Sequence, residues 1–204
     1  MHFSYVLTPL LLAGATMALP AQTLACSQTQ LVFLAGTSQS GLGDVGSALR
    51  DDLQSIMSGI TAYGIPYDTS AEYDKTLTQG AAMTVKYLQD QADRCPNQQF
   101  VLGGYSKGAM VVHRIDMGAA LKDKVLAVTV FGDPNRGNGL GWPIKSPNVD
   151  MDPREGSNPG QNVASFCNNG DLYCYPGGSS VPAHLAYASN GSTKDAAKFI
   201  KQRA

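Results

Sequence analysis

The sequence predicts an α/β domain with a mostly parallel sheet that is covered by helices on both faces. Short apolar runs alternate along the chain with longer segments in which apolar residues recur three or four positions apart. The runs are typical of buried strands and the recurrences of amphipathic helices, which supply the crossovers between parallel strands. We expect one domain over residues 26–204, because a chain of this size can bury a full core.

The strands and helices of this domain can be placed approximately. The four segments that predict strands are Leu31–Leu34, Phe100–Leu102, Val125–Phe131 and Val163–Phe166. The segments with helical spacing are Asp44–Ile60, a pattern from Ala81 that ends at Cys95 before Pro96, Ala109–Leu121 and Thr193–Gln202. Ser192 is the expected N-cap of the last helix.

Composition excludes several classes of function. The chain has 15 Lys and Arg against 16 Asp and Glu, so its net charge is near -1, and only 15% of its residues are charged. It lacks the basic excess that neutralises nucleic-acid phosphates or attracts a protein to anionic lipid. Its 43% of hydrophobic residues excludes a disordered chain. We therefore expect no nucleic-acid partner.

The amino-terminal segment predicts export. It contains the apolar run Val6–Leu12 followed by small residues, and no Asp, Glu, Lys or Arg precedes Asp44. This pattern is typical of a secretory signal peptide, expected over residues 1–21, with cleavage after Ala21 or Ala25. The run is too short and too interrupted to span a bilayer. We expect a secreted, extracellular protein with no membrane span.

The four cysteines that remain after cleavage are Cys26, Cys95, Cys167 and Cys174. An even number in an exported chain predicts two disulfides, for which three pairings are possible. The short spacing of the last two favours a local pairing. A metal site fits poorly, because there is no Cys-x-x-Cys pair and no histidine at the spacing of a zinc ligand.

The run Gly104-Tyr105-Ser106-Lys107-Gly108 has the pattern of a nucleophile elbow. It follows a predicted strand and opens a predicted helix, which is the context this turn requires. The glycines allow the two backbones to approach closely while the serine hydroxyl stays exposed beyond the sheet. Ser106 is therefore a candidate nucleophile.

A nucleophilic serine needs a histidine base that is oriented by a carboxylate, in the chain order serine, acid, histidine. His113 lies about two helical turns after Ser106, roughly 10 Å away along the axis, so it is expected to be a surface or packing residue. His184 follows the last strand, where the base is expected. The candidates for the acid are Asp171, its main rival Asp133, and Asp150 or Asp152.

Residues 135–162 form a long segment rich in Gly, Pro, Asn and Ser, with an apolar tip at Trp142, Pro143 and Ile144. A stretch of this length without secondary structure is commonly functional or mobile. Two interpretations of Trp142 stay open. It either packs onto the core and holds the segment, or it borders the surface that binds the substrate.

One Asn-x-Ser/Thr sequon is present, Asn190-Gly191-Ser192. In a eukaryotic secretory host, Asn190 is a candidate for glycosylation. The alternative is an unmodified Asn-Gly turn before the last helix.

Several runs resemble the cutinase family of serine esterases, a resemblance that extends to acetylxylan esterases. They are Cys95-Pro96, Gly103–Ala109, Cys167–Cys174 and His184-Leu185-Ala186-Tyr187, in the same order and at compatible spacing. The cysteine-framed C-x-x-x-D-x-x-C element is the most specific of them. The resemblance covers essentially the whole mature chain and implies a small, lid-less α/β-hydrolase that acts as a monomer without cofactor or metal.

The resemblance also implies roles for individual residues. The catalytic residues would be Ser106, Asp171 and His184. The disulfides would join Cys26 to Cys95 and Cys167 to Cys174. The residues expected to contact the substrate are Tyr105, Val181 and Leu185.

An oxyanion hole is implied at the backbone N–H of Lys107 and at Thr37, and donors of this kind contribute roughly 3 to 4 kcal/mol each to acyl transfer. Two departures from the family pattern affect it. Lys107 stands where the family usually has Gln, which adds a cation that we expect near the mouth. Some members support the hydroxyl of the oxyanion loop with an Asn before the second-cysteine helix, yet no Asn occurs between Thr61 and Arg94.

The sequence thus predicts a secreted serine esterase that hydrolyses cutin-like polyesters and short-chain esters through an acyl-enzyme. The expected partner is an insoluble apolar polyester. Two alternatives stay open: an acetylxylan esterase of the same fold, and a surface-recognition protein that kept the fold and lost activity.

Overall fold

A six-stranded sheet forms the centre of the molecule in the computed structural model, which describes Met1 and residues 26–204. The strands are β1 (Thr29–Leu34), β2 (Ile60–Gly64), β3 (Gln99–Tyr105), β4 (Val125–Phe131), β5 (Val149–Asp150) and β6 (Val163–Phe166). Their spatial order is β2-β1-β3-β4-β6-β5, and every neighbouring pair is parallel. The predicted parallel sheet is confirmed. The predicted signal peptide lies, Met1 apart, outside the described residues.

The helices cover both faces of this sheet, as predicted. They are α1 (Gly43–Ile56), α2 (Asp74–Arg94), α3 (Lys107–Arg114), α4 (Ala119–Lys122), α5 (Val181–Leu185) and α6 (Ser192–Lys201). Across residues 26–204, no helix has both the length and the apolar character needed to cross a membrane.

Alternating side chains of the strands divide the core into two clusters. In β1, Val32 and Leu34 belong to the cluster under α2 and α3, whereas Leu31 and Phe33 belong to the cluster under α1 and α6. This division follows from the two-residue period of a strand, in which successive side chains point to opposite faces. The central strands therefore carry apolar residues on both sides, with Gln30, Thr129 and Ser165 as buried polar exceptions.

Two predicted helices are too long. The apolar spacing continues to Ile60, but α1 ends at Ile56, because Gly59 takes a left-handed conformation with φ of 69° and Ile60 begins the edge strand β2. The predicted helix over Ala109–Leu121 is interrupted after Arg114, where Ile115 is extended. Its remainder is the short helix α4.

The last helix begins differently from the prediction. Gly191, with φ of 90°, occupies the N-cap position, and Ser192 is the first helical residue. The expected N-cap at Ser192 is therefore wrong. Its hydroxyl instead donates to Oδ1 of Asn190 at 2.6 Å.

Two disulfides stabilise the fold at different places. Cys26 is bonded to Cys95, which joins the residues before β1 to the end of α2. Cys167 is bonded to Cys174, which closes a small loop after β6. Both pairings are those implied by the sequence. A disulfide stabilises chiefly by restricting the unfolded chain, and by more for a longer loop.

Candidate active site

Ser106 lies on a sharp turn between β3 and α3 at the carboxyl edge of the sheet. Its φ of 53° and ψ of -115° are unusual for a residue with a side chain. A Cβ atom at Gly108 would lie 1.9 Å from the carbonyl oxygen of Leu34, and one at Gly104 would lie 2.6 Å from the backbone of Gly108. The flanking glycines are required by this close approach, as the elbow pattern predicts.

His184 lies on α5, directly beside the carboxylate of Asp171. Its Nδ1 is 2.9 Å and 3.0 Å from the two carboxylate oxygens, and both residues are buried. Because Nδ1 contacts the carboxylate, Nε2 is the ring nitrogen left to face a nucleophile. The arrangement can therefore hold the imidazole in one tautomer and orientation.

Further hydrogen bonds hold the Asp171 carboxylate. The Tyr187 hydroxyl donates to Oδ2 at 2.6 Å, and the backbone N–H of Tyr173 donates to Oδ1 at 2.8 Å. Burial opposes ionisation, but the bonds from His184, Tyr187 and Tyr173 hold the pKa of Asp171 below its ordinary value. Asp171 is thus kept as a carboxylate where it faces His184.

No role for Tyr187 was predicted from the sequence. It is fully buried, and its oxygen accepts the N–H of Asn168 at 2.9 Å while its hydrogen goes to Asp171. Burial, together with the neighbouring carboxylate, raises the pKa of Tyr187. The signal was present in the motif His184-Leu185-Ala186-Tyr187, but the motif alone does not say where the hydroxyl points.

The rival acids lie elsewhere. The carboxylate of Asp133 is 2.8 Å from Nε2 of His113, and both side chains are almost completely buried. Asp150 accepts hydrogen bonds from Ser157 and from the backbone of Asp152. Asp152 is largely exposed. Asp171 is therefore the candidate acid whose side chain contacts His184.

A cavity of about 460 Å³ opens beside Ser106 and His184. It brings together most of the residues expected at the site, and its lining includes Thr37, Tyr73, Tyr105, Ser106, Lys107, Met110, Pro134, Tyr173, Val181, His184 and Leu185. Asp171 is buried behind His184 and outside this lining. Ser106 and His184 thus both face the cavity, and Asp171 contacts His184 from the buried side.

The expected substrate contacts differ in character. Val181 and Leu185 lie on α5 with 52% and 65% of their surface exposed, so they form an apolar rim. Tyr105 is buried, and its hydroxyl donates to the backbone oxygen of His184 at 2.9 Å. Burial raises the pKa of Tyr105. Tyr105 therefore supports the position of His184 as well as lining the cavity.

The ammonium of Lys107 is not exposed near the cavity mouth, contrary to the expectation. The residue is fully buried, and Nζ donates to the carbonyl oxygens of Asp68, Ser70 and Glu72. Burial lowers the pKa of Lys107, and the carboxylates of Asp68 and Glu72 oppose this shift.

The Thr37 hydroxyl has a partner that was not predicted from the sequence. Its Oγ1 is 3.1 Å from the hydroxyl oxygen of Tyr73, the residue just before α2. An asparagine was the partner expected in this part of the chain, and a tyrosine was not predicted.

Trp142 and Asn190 lie outside the cavity lining. Trp142 is half-buried, with its ring centroid 4.1 Å from that of His113, and Ile144 is buried. This geometry supports the interpretation in which Trp142 packs onto the core. Asn190 is exposed, and its side-chain amide donates to Asn168 at 2.8 Å.

A family model described as Cutinase matches residues 25–204. The chain belongs to the cutinase family. This cutinase-family chain is 36% identical over 184 residues to the carboxylesterase Culp1 of Mycobacterium tuberculosis, covering 87% of this chain and 82% of that protein.

Solved structures agree with this membership. The Trichoderma reesei cutinase in complex with a phosphonate inhibitor matches with a TM-score of 0.70 and 28% identity, covering 88% of this chain and 78% of that one. The catalytic core domain of acetyl xylan esterase from Trichoderma reesei matches with a TM-score of 0.71 and 20% identity, covering 88% and 100%. The second likeness concerns the fold alone. Membership in the cutinase family is thus consistent with the α/β architecture described above.

Proposed function

We propose that this chain is a serine carboxylesterase that hydrolyses esters through an acyl-enzyme. The observation that carries the proposal is the position of His184, between the buried Asp171 carboxylate and a cavity that also contains Ser106. Membership in the cutinase family supports the same activity.

In the proposed mechanism, Nε2 of His184 takes the proton of the Ser106 hydroxyl as its oxygen attacks the ester carbonyl. Asp171 stabilises the imidazolium that forms. The backbone N–H of Lys107 and the Thr37 residue stabilise the oxyanion of the tetrahedral intermediate. His184 then gives the proton to the leaving alcohol. In the second half of the reaction, His184 takes a proton from water as the water attacks the acyl-enzyme, and it returns that proton to Ser106 as the carboxylic acid leaves.

The preferred substrates are proposed to be apolar, including cutin-like polyesters and short-chain soluble esters. The exposed Val181 and Leu185, together with Tyr173 at 53% exposure, supply an apolar rim around the cavity. Such a rim can adsorb to an insoluble apolar polymer, since apolar surface is removed from water on contact. We propose that the enzyme acts as a monomer.

We also propose that the protein is secreted. Two disulfides support an oxidising environment, since such bonds are rare in the cytosol. Asn190, an exposed residue, is the proposed glycosylation site in a eukaryotic secretory host. Mass spectrometry of the protein from its native source tests both, by the mass at its amino terminus and at Asn190.

Hydrolysis of para-nitrophenyl butyrate by wild type, Ser106→Ala and the control Ser55→Ala tests the proposed activity. Ser55 is an exposed serine on α1, so its loss leaves the rate unchanged. Ser106→Ala should lose at least about a thousandfold in turnover while it keeps the melting temperature. An active Ser106→Ala protein would refute the mechanism. Comparison of cutin with acetylated xylan then distinguishes the polyesterase from an acetylxylan esterase.

A further inference from the structure

Lys107 is a buried cation immediately after the proposed nucleophile. None of its surface is exposed, yet its Nζ meets three backbone carbonyl oxygens, those of Asp68, Ser70 and Glu72. An ammonium has three donors, so the three acceptors match it completely. A neutral amine has two N–H donors and could make only two of these three hydrogen bonds, although the Glu72 carbonyl also accepts from the Thr76 hydroxyl. The side chain is therefore built into the fold as a charged anchor.

The three carbonyls belong to residues 68–72, which connect β2 to α2 without regular secondary structure. Such a segment does not supply its own ladder of hydrogen bonds, and its backbone groups need other partners. One of them is the N–H of Ser38, which donates to the carbonyl of Thr69 at 2.8 Å. The Lys107 ammonium donates to three more carbonyls of this segment. Lys107 thus fixes the path of the chain as it approaches α2.

Tyr73 follows this anchored segment directly. Its ring centroid is 5.2 Å from Nζ of Lys107, within the range of a cation–π contact. Its hydroxyl oxygen is 3.1 Å from Oγ1 of Thr37, and both residues line the cavity that contains Ser106. If the phenol donates to Thr37, the hydrogen of the Thr37 hydroxyl is free to point toward an oxyanion.

We propose that Tyr73 is a positioning residue that orients the Thr37 hydroxyl as an oxyanion donor, and that the buried Lys107 ammonium holds Tyr73 in place through residues 68–72. This inference rests on the proposed esterase function. It connects the side chain after the nucleophile with the opposite side of the oxyanion hole. The backbone N–H of Lys107 supplies one donor, and its ammonium secures the other.

The kinetic effect of losing the Tyr73 hydroxyl depends on whether Tyr73 only lines the cavity or also orients Thr37. A tyrosine that only lines the cavity affects substrate binding, and so changes KM whatever residue occupies position 37. A tyrosine that orients Thr37 affects the transition state, and so changes kcat only while the Thr37 hydroxyl is present. A double-mutant cycle separates the two.

The experiment measures kcat and KM on para-nitrophenyl butyrate for Tyr73→Phe, Thr37→Val and the double variant. Tyr73→Phe should lower kcat about fivefold to tenfold with KM unchanged, and Thr37→Val about 100-fold. In the Thr37→Val background, Tyr73→Phe should have no further effect. The matched control is Tyr63→Phe on β2, which should keep the wild-type kcat.

Lys107→Met tests the anchor, since methionine has a similar length and no charge. Hydrogen exchange of the Ser38 and Ser70 amides, which donate to the Thr69 carbonyl and to the Asp68 carboxylate, should become at least about tenfold faster, and kcat should fall as in Tyr73→Phe. Lys107→Gln, which retains two of the donors, provides a milder variant and should give an intermediate result.

Several outcomes overturn the inference. They are a wild-type kcat in Tyr73→Phe, an undiminished effect of Tyr73→Phe in the Thr37→Val background, and wild-type exchange in both Lys107 variants. If the wild-type enzyme is active and depends on Ser106, but Tyr73→Phe leaves kcat unchanged, this inference alone is refuted. A wild-type protein without esterase activity refutes the proposed function, and this inference with it.

Discussion

Nε2 of His113 lies 2.8 Å from the carboxylate of Asp133, in a buried His–Asp pair separate from the pair beside Ser106. Nδ1 of the same ring lies 3.1 Å from the carbonyl oxygen of Gly141. The ring therefore joins α3 to both ends of the segment 133–141. Residues 26–204 thus contain two similar His–Asp pairs, of which one faces the cavity and the other holds a loop.

These two pairs allow a matched comparison of their acids. Asp171→Asn should lower kcat about 1,000-fold to 10,000-fold, because the imidazole would be held in the wrong tautomer. Asp133→Asn should keep kcat within about threefold and lower the free energy of unfolding by about 1–3 kcal/mol, through loss of a buried hydrogen bond. Steady-state kinetics and thermal unfolding measure both. The reverse pattern would assign the catalytic role to Asp133.

The two disulfides should separate stability from turnover. Replacing Cys26 and Cys95 by serine opens a loop with a sequence separation of 69, whereas Cys167 and Cys174 are separated by 7. Loop entropy predicts losses of about 4 and about 2 kcal/mol respectively. Asp171 lies inside the shorter loop, so the Cys167/Cys174 variant should lose more turnover although it loses less stability. Full turnover in that variant would exclude an orienting role for the bond.

Stability should fall in acid through Asp171. Its pKa in the folded protein is lowered, so the unfolded chain binds the proton first as the pH decreases. The stabilisation is therefore fully present above the ordinary Asp value of about 4 and is lost below it, as the pH approaches the lower folded value. Denaturant unfolding of wild type and Asp171→Asn from pH 6 to pH 3 measures the effect. The difference between the two proteins should shrink on acidification, and a constant difference would contradict the prediction.

Trp142 and Leu185 should have opposite phenotypes. Trp142 packs on His113, so Trp142→Ala should lower the free energy of unfolding by about 1–3 kcal/mol and leave adsorption to a polyester film unchanged. Leu185 is exposed at the cavity rim, so Leu185→Ala should weaken adsorption and leave the melting temperature unchanged. Film-binding and calorimetry distinguish them. Weakened adsorption in a stable Trp142→Ala protein would place the tryptophan on the binding surface.

Local patterns in the sequence account for much of the fold. Val125–Phe131 and Val163–Phe166 are strands with the predicted bounds, because buried apolar runs next to turn residues have few alternatives. The edge strand β2 was missed, since its residues are half-buried and its first apolar residue continues the spacing of α1. The five-residue helix α5, which begins at Val181 and carries Pro182, is too short to show a period.

The candidate site was predictable to a different degree at each level. Ser106 and Asp171 were predicted from the elbow and the cysteine-framed motif, and His184 from its place after the last strand and the run that it opens. Each of these signals is local in sequence. The hydrogen bonds of Tyr73 and Tyr187 were not found, because each joins hydroxyl and acceptor from separate elements. The ammonium of Lys107 was placed wrongly for the same reason: only the folded chain brings residues 68–72 to it.

Both ends of residues 26–204 leave the molecule at the edge of the sheet opposite the cavity. Cys26 lies just before the amino end of β1, and Arg203 donates to the carbonyl of Gln161, just before the amino end of β6. The six residues of β1 place this edge roughly 20 Å from the edge that carries Ser106. A tag, a fusion partner or a solid support attached at either end would therefore face away from the substrate. Tethered enzyme should present its working surface outward, toward a polymer film.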